Sequence, residues 1–148
     1  MEEKNMEKYQ IYKDMMENLK KAMTAGFYYQ AIFIEYAILE DRFTSALRCA
    51  GVKYLNKNGR EIDMSYKLGK LRGNAEFAIP YVRKRLPLEL LDEVEAWKKE
   101  RDKLIHNLAK IPYNDKAVEA VAVKGQDLVK LLDNRIKSVN NYYKKQHP

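Results

Sequence analysis

Apolar positions recur every three or four residues along nearly the whole chain, and the strict alternation of a half-buried strand is almost absent. The pattern predicts helices. The first covers about residues 3–25, where Tyr9, Tyr12, Met16, Leu19 and Met23 form one stripe and Gly26 supplies a stop. The second covers about 27–50. Phe27, Ala31, Ile32, Phe33, Ile34, Ala37, Ile38 and Leu39 surround its first half, so it is expected to be central and packed on several sides. Residues 51–63 read as a loop turning at Asn58-Gly59, with Asp63 or Ser65 capping the next helix. Gly69, Gly73 and Pro80 divide the next stretch into two short pieces, about 65–72 and 75–86. Pro87 opens a fourth helix over about 88–107. Asn114 or Asp115 caps a fifth over about 116–143. Its stripe is Ala117, Val121, Leu128, Leu132, Ile136 and Val139, and Gly125 is a weak point costing about 1 kcal/mol. Mostly short connections make neighbouring helices antiparallel. The expected fold is all-α, an antiparallel bundle of about five helices in one domain over residues 1–148.

Composition narrows the function classes. With 148 residues and 46% hydrophobic side chains, the chain can bury one real core. A net charge of +7 favours polyanionic partners such as nucleic acid, an anionic membrane surface or an acidic protein, or simply keeps lysine-rich helices dissolved. Cys49 is the only cysteine, so no internal disulfide can form; it reads as a small buried hydrophobe. The charged N-terminus is not followed by the apolar stretch of a secretion signal. The most apolar run, residues 27–39, contains Glu35, meets Glu40-Asp41-Arg42 at its end, and is short for a bilayer. A cytoplasmic location away from membranes is expected. Two histidines and one cysteine, widely separated, offer no zinc set, the carboxylates are scattered, and no glycine-rich phosphate loop is present. Neither a metal nor a cofactor is expected.

One helix breaks its own pattern. Leu90, Val94, Trp97, Leu104 and Leu108 form the apolar stripe of the fourth helix, and Arg101 falls in the middle of it. A guanidinium there needs partners. It is either a structural arginine paired with Glu35 or Glu40, or an arginine at a cleft rim aimed at a phosphate through its planar fork of donors. His106 comes five positions later. On an ideal helix the two point about 140° apart. Asp102 and His106, four apart, share a face, so Asp102 could orient the imidazole. For Arg101 and His106 to meet on one substrate, the helix must loosen near Asn107 or a second subunit must supply the missing group.

The segment Glu100-Arg101-Asp102-Lys103-Leu104-Ile105-His106-Asn107 resembles the signature of the HEPN (higher eukaryotes and prokaryotes nucleotide-binding) superfamily: Arg, four to six residues, then His, with a polar residue after the Arg. The stretch from Gly26 to Arg42 resembles that family's long early helix, which often carries an acidic residue, here Glu40. The resemblance implies a helical bundle acting as a homodimer with two motifs in one cleft. It also implies metal-independent RNA cleavage of the toxin or phage-defence kind, with an antitoxin or inhibitor protein as a further partner. Arg101 and His106 would be the catalytic pair, supported by Asp102 and Glu40. Toxins of this kind paired with a nucleotidyltransferase antitoxin often carry Tyr two positions after the His; Leu108 stands there instead, which argues against that partnership.

RNA brings its own nucleophile, the 2′-OH. His106 would act as base or acid and Arg101 would stabilise charge on the phosphoryl oxygens, leaving a 2′,3′-cyclic phosphate. Arg83, Lys84 and Arg85, with Lys98 and Lys103 beside the motif and Tyr142-Tyr143-Lys144-Lys145 near the C-terminus, are candidate RNA contacts; each could equally be solvated surface. Two other readings stay open. In the first, the chain is a non-catalytic helical module that binds a protein or a nucleotide, and His106 is incidental. The second, a DNA-binding regulator, would need a short-turn helix pair with a basic recognition helix, and none is evident.

Overall fold

A computed structural model describes residues 2–73 and 80–148. Six helices lie among the described residues: α1 (Glu2–Ala25), α2 (Tyr28–Cys49), α3 (Met64–Gly73), α4 (Pro80–Arg85), α5 (Leu88–His106) and α6 (Asp115–Gln146). The fold is the expected all-α bundle. The second short piece, expected over 75–86, falls partly on residues 74–79, outside the described residues; its described part is α4, Pro80–Arg85. None of the helices is long and apolar enough to cross a membrane, among the described residues.

The chain ends its helices where its side chains dictate. Gly26 takes φ +76°, and Phe27 N–H returns to Ala22 O at 2.9 Å, closing α1. Asp63, rather than Ser65, caps α3 by accepting from Tyr66 N–H at 3.1 Å. Asn114, rather than Asp115, caps α6 by accepting from Ala117 N–H at 3.2 Å.

α2 is central and packs against α1, α3 and α6. Three contacts fix the direction of its pairing with α6: Glu35 lies against Gly125, and Ser45 and Cys49 both donate to Asn140 Oδ1, at 3.1 and 3.2 Å. Residue numbers rise together, so α2 and α6 run parallel. α5 runs the other way along α6, since Trp97 bonds to Val121 O at 2.9 Å and Glu93 meets Lys124 at 3.5 Å. The C-terminus of α5 and the N-termini of α2 and α6 therefore share one end of the bundle, and α4 packs near the other end, with Tyr81 2.7 Å from Ser138.

The apolar stripe of α6 holds as expected from Leu128 to Val139. Nearer its start the buried line is Val118, Ala122 and Gly125, while Ala117 is exposed and Val121 half-buried. The stripe passes through a glycine, which carries no apolar signal. A Cβ at Gly125 would collide with Glu35 Oε1 and stand 2.9 Å from Trp97 Cζ2, so Gly125 is where the crossing helices make room for a carboxyl and an indole.

Candidate functional site

Arg101 is the centre of the site. α5 packs Leu90, Leu91, Val94 and Trp97 into the core, and one turn further on the same face presents the guanidinium. Its side chain is 18% exposed. It pairs with neither Glu35 nor Glu40. Its carbon lies 4.0 Å above the centre of the Tyr36 ring and 6.0 Å from that of Phe33, both on α2. One terminal nitrogen donates to Asp102 Oδ1 at 2.8 Å, and the buried Nε has no hydrogen-bond partner. The guanidinium thus rests on an aromatic shelf, tethered by one bond.

Asp102 is doubly held. It accepts from Lys98 Nζ at 2.8 Å, four residues back on α5, as well as from Arg101. Burial alone would raise its pKa; the bonds from Lys98 and Arg101 outweigh burial and hold the carboxyl below its usual range. The same bond from Lys98 to Asp102 pushes the Lys98 ammonium up. Tyr36 is raised, chiefly by burial and in spite of the nearby Lys98.

His106 stands apart. It is exposed at the last position of α5, and its Nε2 lies 3.1 Å from Lys110 Nζ. Asp102 spends both its bonds on Lys98 and Arg101. Its expected hold on the imidazole is not among the bonds formed. α5 stays helical through His106, where Asn107 N–H still reaches Lys103 O at 3.0 Å. The helix does not loosen before the histidine, so within one chain Arg101 leans on α2 while His106 faces away. Around them lies exposed apolar surface: Phe33 at 55%, Leu108 at 57%, Ile111 and Tyr113, the last in a tilted ring contact with Tyr29 at 5.8 Å.

The remaining candidates divide by position. Glu40 lies one turn from Tyr36 on α2 and pairs with Lys67 of α3 at 3.8 Å, not with Arg101. Lys103 is exposed and only loosely paired with Glu100 at 3.9 Å. Arg83, Lys84 and Arg85 sit near the far end, about 30 Å from Arg101 along α6 at 1.5 Å per residue. Arg83 donates to Leu71 O and Arg72 O, closing the last turn of α3, so its charge serves the fold. Arg85 Nε donates to the Tyr81 hydroxyl at 3.0 Å, and Tyr81 stacks on Tyr142 at 4.2 Å. Lys84 is exposed. No group of three or more His, Cys, Asp or Glu arranged to hold a metal occurs among the described residues.

Sequence reading missed Tyr36, Phe33 and Lys67. The two aromatics were hidden in a helix apolar on every side. Lys67 carries the same signature as Arg101: it interrupts the buried face formed by Met64, Leu68 and Leu71, and only 1% of it is exposed. Compared with protein-family models, with curated proteins and with solved structures, the chain matches none.

Proposed function

We propose that the chain is a metal-independent endoribonuclease of the toxin or phage-defence type, working as a homodimer. The observation that carries this reading is the setting of Arg101. A structural arginine would be expected to sink into an ion pair with a core carboxylate. This one keeps clear of Glu35 and Glu40, stays partly exposed, and is oriented by a ring and a single carboxylate bond. A phosphate oxygen can still take its free donors.

The dimer is inferred from the divergence of Arg101 and His106 on a regular helix. A second copy packed on the exposed Phe33, Leu108 and Ile111 would bring its own motif to the same cleft. In that cleft one His106 takes the proton from the 2′-OH, whose oxygen bonds to phosphorus. The bond from phosphorus to the 5′-oxygen breaks, and that oxygen takes a proton from an acid. Arg101 stabilises the charge on the non-bridging oxygens. The products are a 2′,3′-cyclic phosphate and a 5′-hydroxyl. Lys98 and Lys103 add positive potential beside the motif; Lys84 and Arg85, about 30 Å away, could meet only a longer RNA. An antitoxin or inhibitor protein would act by covering the same exposed surface.

One observation favours the alternative, a non-catalytic interaction or nucleotide-binding module: His106 contacts Lys110 and is not oriented by a carboxylate. The test is RNA cleavage by the purified chain in excess EDTA, beside Arg101→Ala and His106→Ala proteins of equal helicity. Cleavage by the unmodified protein alone, leaving cyclic phosphate ends, supports the enzyme. Equal cleavage by the variants, or none across a broad RNA panel, sinks it.

A further inference from the structure

The excess positive charge of the chain is gathered at the end of the bundle opposite Arg101. Residues 80–87 and 134–148 contain seven lysines and arginines and neither Asp nor Glu. That excess equals the whole net charge of +7, so the rest of the chain is balanced. The helix that carries Arg101 has no share in it: α5 holds four lysines and arginines against six Asp and Glu. Long-range attraction therefore draws a polyanion to the α4–α6 end first.

Tertiary contact joins the two segments. The Tyr81 hydroxyl of α4 lies 2.7 Å from that of Ser138 on α6, and the Tyr81 ring stacks on Tyr142 at 4.2 Å. Arg85 Nε donates to the Tyr81 hydroxyl at 3.0 Å, with its guanidinium carbon 5.2 Å from the centre of that ring. One cation and two half-buried rings thus stand together. On α6, Ser138, Asn141, Tyr142 and Lys145 recur at three- and four-residue steps and share one face. Tyr143 adds a second stack, with the exposed His147 at 4.1 Å. Two of the seven cations are engaged, Arg83 by the carbonyls of Leu71 and Arg72 and Lys137 by Asp133 at 3.0 Å. Lys84, Lys144 and Lys145 are exposed and form no ion pair among the described residues.

We propose that this α4–α6 end is a binding surface for single-stranded RNA. Unpaired bases stack on the Tyr142 and His147 rings, and Lys84, Arg85, Lys144 and Lys145 meet the phosphates. Rings interleaved with cations match a strand that offers flat bases and a charged backbone side by side. A duplex keeps its bases stacked on one another and cannot use the rings. An anionic membrane fits less well: none of the exposed large apolar side chains lies in either segment, so adhesion to lipid would rest on charge alone. As a binding surface it stands whether or not the chain cleaves; its use as an anchor for the substrate rests on the ribonuclease reading. A strand reaching from here to Arg101 crosses about 30 Å, or about nine nucleotides at about 3.4 Å each.

The experiment measures, by fluorescence anisotropy over a range of salt, the binding of a labelled 2′-O-methyl RNA of about 20 nucleotides, which has no 2′-OH to attack, as single strand and as duplex. It compares the unmodified chain with Tyr142→Ala, with Lys144→Gln plus Lys145→Gln, and with Lys13→Gln plus Lys20→Gln, which removes the same charge from exposed positions on α1. Tyr142→Ala should weaken the single strand by about tenfold and the duplex little. The Lys144 and Lys145 pair should weaken both forms and flatten the salt dependence by about two phosphate contacts. The α1 pair should change neither. On cleavable RNA, the Lys144 and Lys145 pair should raise KM more for strands longer than about nine nucleotides than for shorter ones. An α1 pair that weakens binding as much as the α6 pair means diffuse attraction and overturns the surface. Equal losses for single strand and duplex in Tyr142→Ala overturn it too, as does binding to phosphatidylserine vesicles without binding to RNA. None of those three results touches the cleavage assay, so the ribonuclease reading would still stand. The expected binding by a protein that cuts no RNA keeps the surface and overturns the ribonuclease.

Discussion

The Arg101 guanidinium carbon lies 4.0 Å above the Tyr36 ring, so a residue on α2 sets the aim of the residue on α5 that the proposed chemistry needs. The ring attracts the cation and blocks one of its faces, leaving the edge free for an anion. Replacing Tyr36 with Leu should lower kcat about tenfold, while Tyr36→Phe, which keeps the ring, should retain most activity. If Phe and Leu are equally damaging, the hydroxyl rather than the ring matters. Steady-state RNA cleavage with circular dichroism as a folding control decides it.

Glu35 is fully buried and neither oxygen has a hydrogen-bond partner. Burial first, and Asp127 second, push its carboxyl up to about 9, so the folded chain holds a proton that an unfolded chain releases near the ordinary value of about 4.3. The contribution of this group is fully present below about pH 4 and is lost as pH rises toward 9, by up to about 1.4 kcal/mol per pH unit. Glu35→Gln, which cannot ionise, should flatten that decline. Urea unfolding of both proteins from pH 5 to 9 measures the difference; parallel curves would refute the assignment.

Gly125 has no room for a methyl group, since an added Cβ would collide with Glu35 Oε1 and come within 2.9 Å of Trp97 Cζ2. In an exposed helix, Gly→Ala would stabilise by about 1 kcal/mol. Here Gly125→Ala should destabilise by about 1–3 kcal/mol through overpacking. A raised thermal midpoint for this variant would show that the Glu35 carboxyl can move aside.

If two copies meet on the motif, the exposed Leu108 and Phe33 are at the contact. Leu108→Lys should convert a dimer to a monomer in analytical ultracentrifugation and remove cleavage without loss of helicity. A monomeric unmodified protein that still cuts RNA would rule out the shared cleft.

Much of the fold is legible in the order of residues alone. Helix periodicity, Gly26, Pro87 and Asn114 are local signals, and each marks a boundary within a residue or two of the observed one. Arg101 stands out for the same reason: a charge in an apolar stripe is a local contradiction, and so is Lys67 on α3. What such signals do not carry is partnership. The expected pairings of Arg101 with Glu35 or Glu40, and of Asp102 with His106, are reasonable by spacing, yet Arg101 rests on Tyr36 and Asp102 is taken by Lys98.

The sequence by itself determined the helices, their ends, the central place of α2 and the charge of Arg101 set into an apolar face, because these depend on neighbours three or four residues away. Only the tertiary structure decided that Gly125 yields to Glu35 and Trp97, that Arg83 donates to the carbonyls of Leu71 and Arg72 on α3, and that Lys67 lies between Glu40 and Glu61. Those arrangements join residues from separate helices, and their geometry is set by how the bundle crosses and packs, which no local period encodes.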